Sequence, residues 1–186
     1  MVFDKLFGKK RRIPSALDVD GSHFNDYEKN LVEKVREYGF FIPYVVDDGP
    51  TPNFRQSFGY TVGLWRSWQV PEVIVFGLPS DNCQGMLSEI ADRAAAGTPV
   101  PTGKRVSDVA TGLDIALLPI RPAEKLAHLR SARWFYGQDD FPAVQLVWPD
   151  TQGLFPWQDG FDARFANDQP DLSPTGWAKL AKSWRD

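Results

Sequence analysis

Residues 72–78 read EVIVFGL and are almost entirely apolar. A short apolar run without alternation is typical of a β-strand that is covered on both faces. Such a strand requires a sheet around it and further elements to bury it. With 186 residues, the chain is long enough for one domain with a sizeable core and too short for two comfortable ones.

Five further segments have the composition of strands. They are residues 40–46, 56–65, 103–110, 113–120 and 141–148. Pro43 in the first of them indicates an edge position or a bulge. The second contains Gly59 and Gly63, and glycine inside a strand often marks a bulge or the close approach of another group.

Helical periodicity is clear at residues 26–38, where apolar side chains form one stripe. Asn25 and Glu28 have the spacing of a capping box, and Gly39 can end the helix. The pattern predicts further helices at 82–96 and 122–136, and a last helix that starts at Ser173-Pro174.

Helices and strands are interleaved without regular alternation. This order favours an α+β fold with a central, mostly antiparallel sheet of about six strands and helices packed on one side. We expect a single globular domain at residues 23–186, preceded by a basic tail and linker at residues 1–22.

Residues 1–12 hold five Lys and Arg residues against one Asp, so the rest of the chain is acidic. An acidic body argues against nucleic-acid binding, because phosphate contacts need a basic surface. Apolar residues also recur at helical spacing in this segment. A solvated tail is one interpretation, and weak contact of residues 2–12 with a membrane surface or a partner is the other.

The single cysteine, Cys83, excludes an internal disulfide framework and is typical of a reducing compartment. It lies on the apolar stripe of the predicted helix 82–96, which indicates a core residue. No apolar run approaches the roughly 18 residues of a membrane span. The N-terminus also lacks the order of a secretory signal, so we expect a cytoplasmic protein.

Several familiar chemistries find no support in the sequence. Trp148-Pro149-Asp150 matches the general-acid letters of Cys-dependent phosphatases, but Glu89 stands six residues after Cys83 where that chemistry needs Arg. The segment around Ser57 lacks the first glycine of a serine-hydrolase elbow. No metal-ligand spacing, phosphate loop or dinucleotide fingerprint occurs, so we expect no metal and no cofactor.

A set of polar and aromatic residues could nevertheless form a ligand site, because an aromatic wall with a few polar groups is typical of small-molecule pockets. The candidates are Arg55, Tyr60, Thr61, Arg66, His128, Asp150 and Trp157. His128 follows Glu124 by four residues, which fits either an oriented base or a surface ion pair. For Asp150 the alternative is a structural turn between Trp148 and Trp157, in which its carboxylate bonds backbone amides.

Three motifs occur in order: FGYTVGLW at residues 58–65, PEVIVFGLP at 71–79 and FPAVQLVWPDTQGLFPWQDGF at 141–161. Together they resemble the bacterial family known as domain of unknown function 4262. The matching positions include Thr61, Gly63 and Glu72. The resemblance covers roughly residues 25–162 and implies a shared fold, but it brings no activity with it.

Two functions therefore stay open. The seven Trp and thirteen Phe residues, without an evident catalytic constellation, favour a non-catalytic binding module for a small ligand or a protein partner. The alternative is an enzyme that processes a small polar substrate through Asp150, Tyr60 and His128.

Overall fold

The computed structural model describes residues 12–46, 57–110 and 113–184. In this part of the chain there are six α-helices, six β-strands and two short 3-10 turns, at Ala16–Asp18 and Ala163–Phe165. The elements are, in chain order, α1 Asp26–Tyr38, β1 Tyr44–Val45, β2 Phe58–Tyr60, α2 Leu64–Trp68, β3 Glu72–Phe76, α3 Ser80–Ala95, β4 Arg105–Ala110, β5 Leu113–Pro119, α4 Pro122–His128, α5 Arg130–Tyr136, β6 Ala143–Val147 and α6 Trp177–Ser183.

The strands form one sheet in the order β1-β2-β3-β6-β5-β4. All neighbouring strands are antiparallel except β3 and β6, which run parallel and pair Val73 with Val144. Every residue of β3 is buried, as its apolar sequence predicts. The predicted α+β class with a mostly antiparallel sheet is confirmed.

Helices cover both faces of this sheet. Val73 and Val75 of β3 belong to the core cluster that contains the apolar stripe of α3. Ile74 and Phe76 point the other way and belong to the cluster of α1 and α5. The prediction of helices on one side is therefore wrong, because the alternating side chains of an apolar strand expose two faces that both need burial.

The chain after β6 covers the β5–β6 half of the sheet, on the face opposite α3. Phe155 and Trp157 pack in a third cluster with Ala116, Leu118 and Val147 of these strands. Aromatic residues of α6 and its C-terminal end pack against this cluster from outside. The aromatic wealth of the sequence thus contributes substantially to the core.

The strand predicted at residues 56–65 ends at Tyr60, and α2 follows it. Gly63 makes this change of direction with a left-handed φ of 112°. A Cβ at Gly63 would also lie 2.8 Å from the carbonyl oxygen of Gly39. The left-handed φ and this close contact therefore both favour glycine at position 63. Beyond Tyr60, Val62 still forms an isolated antiparallel bridge with Phe41, and Leu64 and Trp65 belong to the short helix α2.

The helix predicted at residues 122–136 is two helices. Leu129 has a ψ of 50° and separates α4 from α5, while its side chain is fully buried. Periodicity did not reveal the break because Leu129 continues the apolar pattern.

The first half of the predicted linker packs on the domain. Ile13 and Ala16 are buried in the cluster of α1 and α5, and Ser15 caps the turn at Ala16–Asp18. Asp18 accepts a hydrogen bond from the Arg66 guanidinium at 3.5 Å. Residues 1–11 lie outside the described residues, so their separation from the fold and their contact with a membrane or partner stay predictions.

Candidate functional site

A groove of about 620 Å³ lies between α1, strands β1 and β2, and the α4–α5 pair. Its volume falls within the range of small-molecule sites, about 300–1,000 Å³. We call it the α1–α5 groove, and it is lined by Asn25, Tyr27, Glu28, Val45, Phe58, Tyr60, Ala127, His128, Arg130, Ser131 and Trp134. Two predicted site residues, Tyr60 and His128, meet in it.

Three hydroxyl groups come together in the groove. The Tyr27 and Ser131 oxygens lie 2.8 Å apart, and the Tyr60 oxygen accepts the Ser131 backbone N–H at 3.1 Å. Burial raises the pKa of Tyr60 above its ordinary value, so its hydroxyl is protonated at neutral pH and can donate. These contacts link α1 and β2 to Ser131 at the start of α5.

His128 is held in place from two sides. Its Nε2 lies 3.3 Å from Oε2 of Glu124, so the predicted contact one helical turn apart is present. The imidazole ring also meets Phe58 and Phe76 edge-on, with centroids 5.2 and 5.3 Å away. Glu124 receives a further hydrogen bond from Arg121 at 2.7 Å. The imidazole is therefore pre-positioned in the groove wall.

The groove contains a serine hydroxyl, that of Ser131, and an imidazole, that of His128, and the two side chains have different partners. Serine chemistry needs a base within hydrogen-bond reach of the hydroxyl. Among the described residues, the Ser131 hydroxyl contacts the hydroxyls of Tyr27 and Tyr60, and His128 contacts Glu124.

A second polar cluster lies inside the core. The Glu72 carboxylate is fully buried and accepts hydrogen bonds from the Thr61 hydroxyl at 2.6 Å and from the Tyr136 hydroxyl. It also accepts the backbone N–H groups of Gly63 and Trp65 at 3.0 and 3.1 Å. We call these residues the Glu72 cluster.

The backbone of β3 determines that Thr61 donates its proton to Glu72. The Thr61 oxygen accepts the Val73 N–H at 2.9 Å, which leaves its proton for Glu72. Burial raises the pKa of Glu72 above its ordinary value, and the four donated hydrogen bonds oppose this rise. Since Thr61 is also fully buried, the cluster holds β2, β3, α2 and α5 together and offers a ligand no access.

Asp150 lies in the turn after β6, as the structural interpretation predicts. Its carboxylate accepts the backbone N–H groups of Gln152 at 2.8 Å, Leu154 at 3.0 Å and Asp162 at 2.9 Å. Burial opposes ionisation, but these N–H groups bring the pKa of Asp150 below its ordinary value. Both carboxylate oxygens are therefore engaged in holding the turn.

Trp157 belongs to the aromatic cluster beside this turn. Its ring stacks on Phe155 at a centroid distance of 4.9 Å and contacts Trp177 and Trp184. The indole N–H of Trp157 is buried and has no hydrogen-bond partner within residues 12–46, 57–110 and 113–184. Trp157 thus contributes mainly to packing.

The structure does not bring the predicted pocket residues into one cavity. Tyr60 lines the α1–α5 groove, Thr61 lies in the Glu72 cluster, and Asp150 holds the turn after β6. Arg66 reaches Asp18, while Arg55 lies outside the described residues. Sequence reasoning missed four groove residues, Tyr27, Arg130, Ser131 and Trp134. The last three lie on α5, whose separation from α4 has no sequence signal, and Tyr27 lies on the apolar stripe of α1.

Metal binding and membrane insertion are two further possibilities for the part of the chain that the structure describes. It contains no group of three or more His, Cys, Asp or Glu side chains placed to hold a metal ion. None of its helices combines the length and the apolar character needed to cross a lipid bilayer.

Comparison with known proteins identifies the family. The model of a family described as domain of unknown function (DUF4262) matches residues 34–162, which include the Glu72 cluster and the Asp150 turn. Tyr27 and Glu28 of the groove precede the matched region. No curated protein and no solved structure matches the chain. Because the match extends over more than half of the sequence, the chain belongs to the DUF4262 family.

Proposed function

We propose that the protein binds a small ligand in the α1–α5 groove and does not process it. The observation that carries this proposal is the combination of aromatic walls with convergent hydroxyl and imidazole groups in one concave surface. Tyr27 and Val45 are 49% and 39% exposed and both line the groove. Apolar surface left exposed around polar groups is typical of a binding site.

The enzyme alternative needs Asp150, Tyr60 and His128 to act together. Tyr60 and His128 do line one groove, but the Asp150 carboxylate is engaged by three backbone N–H groups. His128 and Ser131 also have separate side-chain partners. These contacts support binding over catalysis, and the concave shape supports a small ligand over the flat surface of a protein partner.

The proposal can be tested with a matched pair of variants on α4. Ala127 lines the groove, whereas the adjacent Leu126 does not, and both side chains are exposed. We expect Ala127→Trp to fill the groove and Leu126→Trp to leave it open. A library of small polar aromatic fragments would be screened by ligand-observed NMR against the wild type and both variants.

Fragments that bind the wild type and Leu126→Trp but not Ala127→Trp would support the groove as the site. Equal binding to both variants would place the ligand elsewhere, and the absence of any bound fragment would contradict the proposal. Mass spectrometry of each bound fragment after incubation distinguishes the two functions, since chemical conversion would favour the enzyme.

A further inference from the structure

The α1–α5 groove carries one acidic and one basic side chain on different walls. Glu28 lies in the first turn of α1, and Arg130 is the first residue of α5. Neither forms an ion pair with another residue in the described ranges. Nearby charges on α4 and α5 are paired, as Arg121 is with Glu124 and Arg133 with Asp139.

Glu28 is fixed in position by the capping box of α1. Its Oε2 accepts the backbone N–H of Asn25 at 2.9 Å, while the Asn25 side chain accepts the N–H of Glu28 at the same distance. Within the described part of the chain, Oε1 of Glu28 accepts no hydrogen bond. The carboxylate is thus pre-organised to receive a cationic group at little cost in side-chain entropy.

Arg130 presents the complementary charge. Its side chain is exposed and makes no hydrogen bond to the other described residues. A guanidinium group can hold a carboxylate through two parallel N–H···O bonds. Arg130 lines the groove directly before Ser131, whose backbone N–H donates to the Tyr60 hydroxyl at 3.1 Å.

We infer that the α1–α5 groove takes a zwitterionic ligand with an apolar or aromatic body, an α-amino acid or a short peptide. The ammonium group meets Glu28, the carboxylate meets Arg130, and the body packs on the side chains of Tyr27, Phe58 and Trp134. This inference rests on the proposed function, because it names the chemical class that the same groove selects.

Three probes that share the phenylalanine side chain and differ in charge test the inference. L-Phenylalanine carries both charges, N-acetyl-L-phenylalanine carries only the negative one, and L-phenylalanine amide carries only the positive one. Their affinities for the wild type would be measured by NMR titration. We expect L-phenylalanine to bind about two- to fivefold more tightly than either derivative, as for a charge pair at a partly exposed site.

Two variants assign each charge to its partner. Glu28→Gln keeps the capping box, because Gln is a regular member of that motif. It should abolish the preference for L-phenylalanine over the N-acetyl derivative and keep the preference over the amide. Arg130→Gln should do the reverse. Thermal unfolding of both variants verifies that the fold is retained.

Equal binding of all three probes to the wild type, or unchanged preferences in both variants, would overturn the inference. If none of the probes binds while fragments from the general screen still occupy the groove, the zwitterion inference fails and the proposed function stands. If neither the probes nor any fragment binds, both fail.

Discussion

Gly59 and Cys83 lie against each other where β2 meets α3. A Cβ at Gly59 would come within 2.2 Å of the Cys83 sulfur, much closer than any real contact. Burial raises the pKa of Cys83 from 9.0 to about 12, so the thiol is protonated and unreactive at neutral pH. Cys83 is therefore the core residue that its place on the apolar stripe predicts, and it explains why residue 59 is glycine.

This contact predicts a strong coupling between the two positions. Gly59→Ala should destabilise the protein by about 1–3 kcal/mol, because an added methyl group overpacks the core. Cys83→Ala removes the sulfur, so the double variant should recover much of that loss. Urea unfolding of both single variants and the double variant measures the coupling. Strictly additive free energies of unfolding would contradict the contact.

A second residue-scale prediction concerns the turn held by Asp150. Asp150→Ala leaves three backbone N–H groups without their acceptor and should cost about 3 kcal/mol or more, at roughly 1–3 kcal/mol for each buried group. Asp150→Asn keeps Oδ1, which accepts from Gln152 and Leu154, and should be milder. Exposed Asp159 lies in the same segment, so Asp159→Ala is the matched control.

Denaturant unfolding of these three variants decides the role of Asp150. Because its pKa is lowered in the folded state, its contribution to stability is present above the unfolded pKa, near 3.8. That contribution is lost as the pH falls through the lower folded pKa. Equal stability of the wild type, Asp150→Asn and Asp150→Ala would show that the carboxylate does not support the turn.

At the scale of elements, the Glu72 cluster supplies the N-terminal cap that α2 lacks. This helix has five residues and begins after Gly63, which has no side chain to cap it. Glu72 of β3 accepts the Gly63 and Trp65 N–H groups instead. The hydroxyls of Thr61 and Tyr136 also donate to Glu72, so that β2 and α5 are linked to the same carboxylate.

We therefore predict a graded series of variants at this junction. Glu72→Ala leaves four buried donors unmatched and should cost more than about 3 kcal/mol. Glu72→Gln keeps one carbonyl oxygen and should cost less, and Tyr136→Phe, which removes one donor, should cost about 1–2 kcal/mol. Free energies of unfolding from urea titrations measure the series, and an equal effect of all three would contradict it.

The Glu72 cluster should also make the free energy of unfolding depend on pH. Burial raises the pKa of Glu72 in the folded state, so the folded protein holds the proton more tightly than the unfolded chain. Relative to Glu72→Gln, the wild type should lose stability as the pH rises from about 4.5 through the higher folded pKa. A stability difference that is constant across this range would contradict the raised pKa.

At the scale of the whole molecule, the sheet separates two helical layers, and the N-terminal segment contributes to one of them. Ile13 and Ala16 are only 7% and 8% exposed and pack with α1 and α5, which also form walls of the groove. We therefore propose that the N-terminal boundary of the domain lies before Ile13.

Two truncations test this boundary. Deletion of residues 1–18 removes Ile13 and Ala16 and should lower Tm by several degrees, at about 2–4 °C for each kcal/mol in a domain of this size. Deletion of residues 1–11 should leave Tm nearly unchanged, since that basic segment differs in composition from the body. Equal losses of Tm in differential scanning calorimetry would show that the basic segment itself supports the fold.

The features that the sequence predicted well depend on interactions between residues that are close in sequence. The bounds of α1 follow from the capping box of Asn25 and Glu28 and from Gly39, which all act within one helical turn of the helix ends. The burial of β3 follows from its composition, and the close approach at Gly59 follows from a glycine inside a strand. The Asp150 turn is local as well, since two of its three hydrogen bonds join residues at most four apart.

The α1–α5 groove and the Glu72 cluster depend on residues that are distant in sequence. Tyr60 meets Ser131 across 71 positions, and Glu72 meets Tyr136 across 64. The break at Leu129 likewise arises from packing between elements. The sequence by itself thus determined the fold class, the end points of α1 and the Asp150 turn, through local hydrogen bonds and periodicity. Only the tertiary structure decided which side chains share a groove, because long-range packing sets their positions and leaves no periodic trace in the chain.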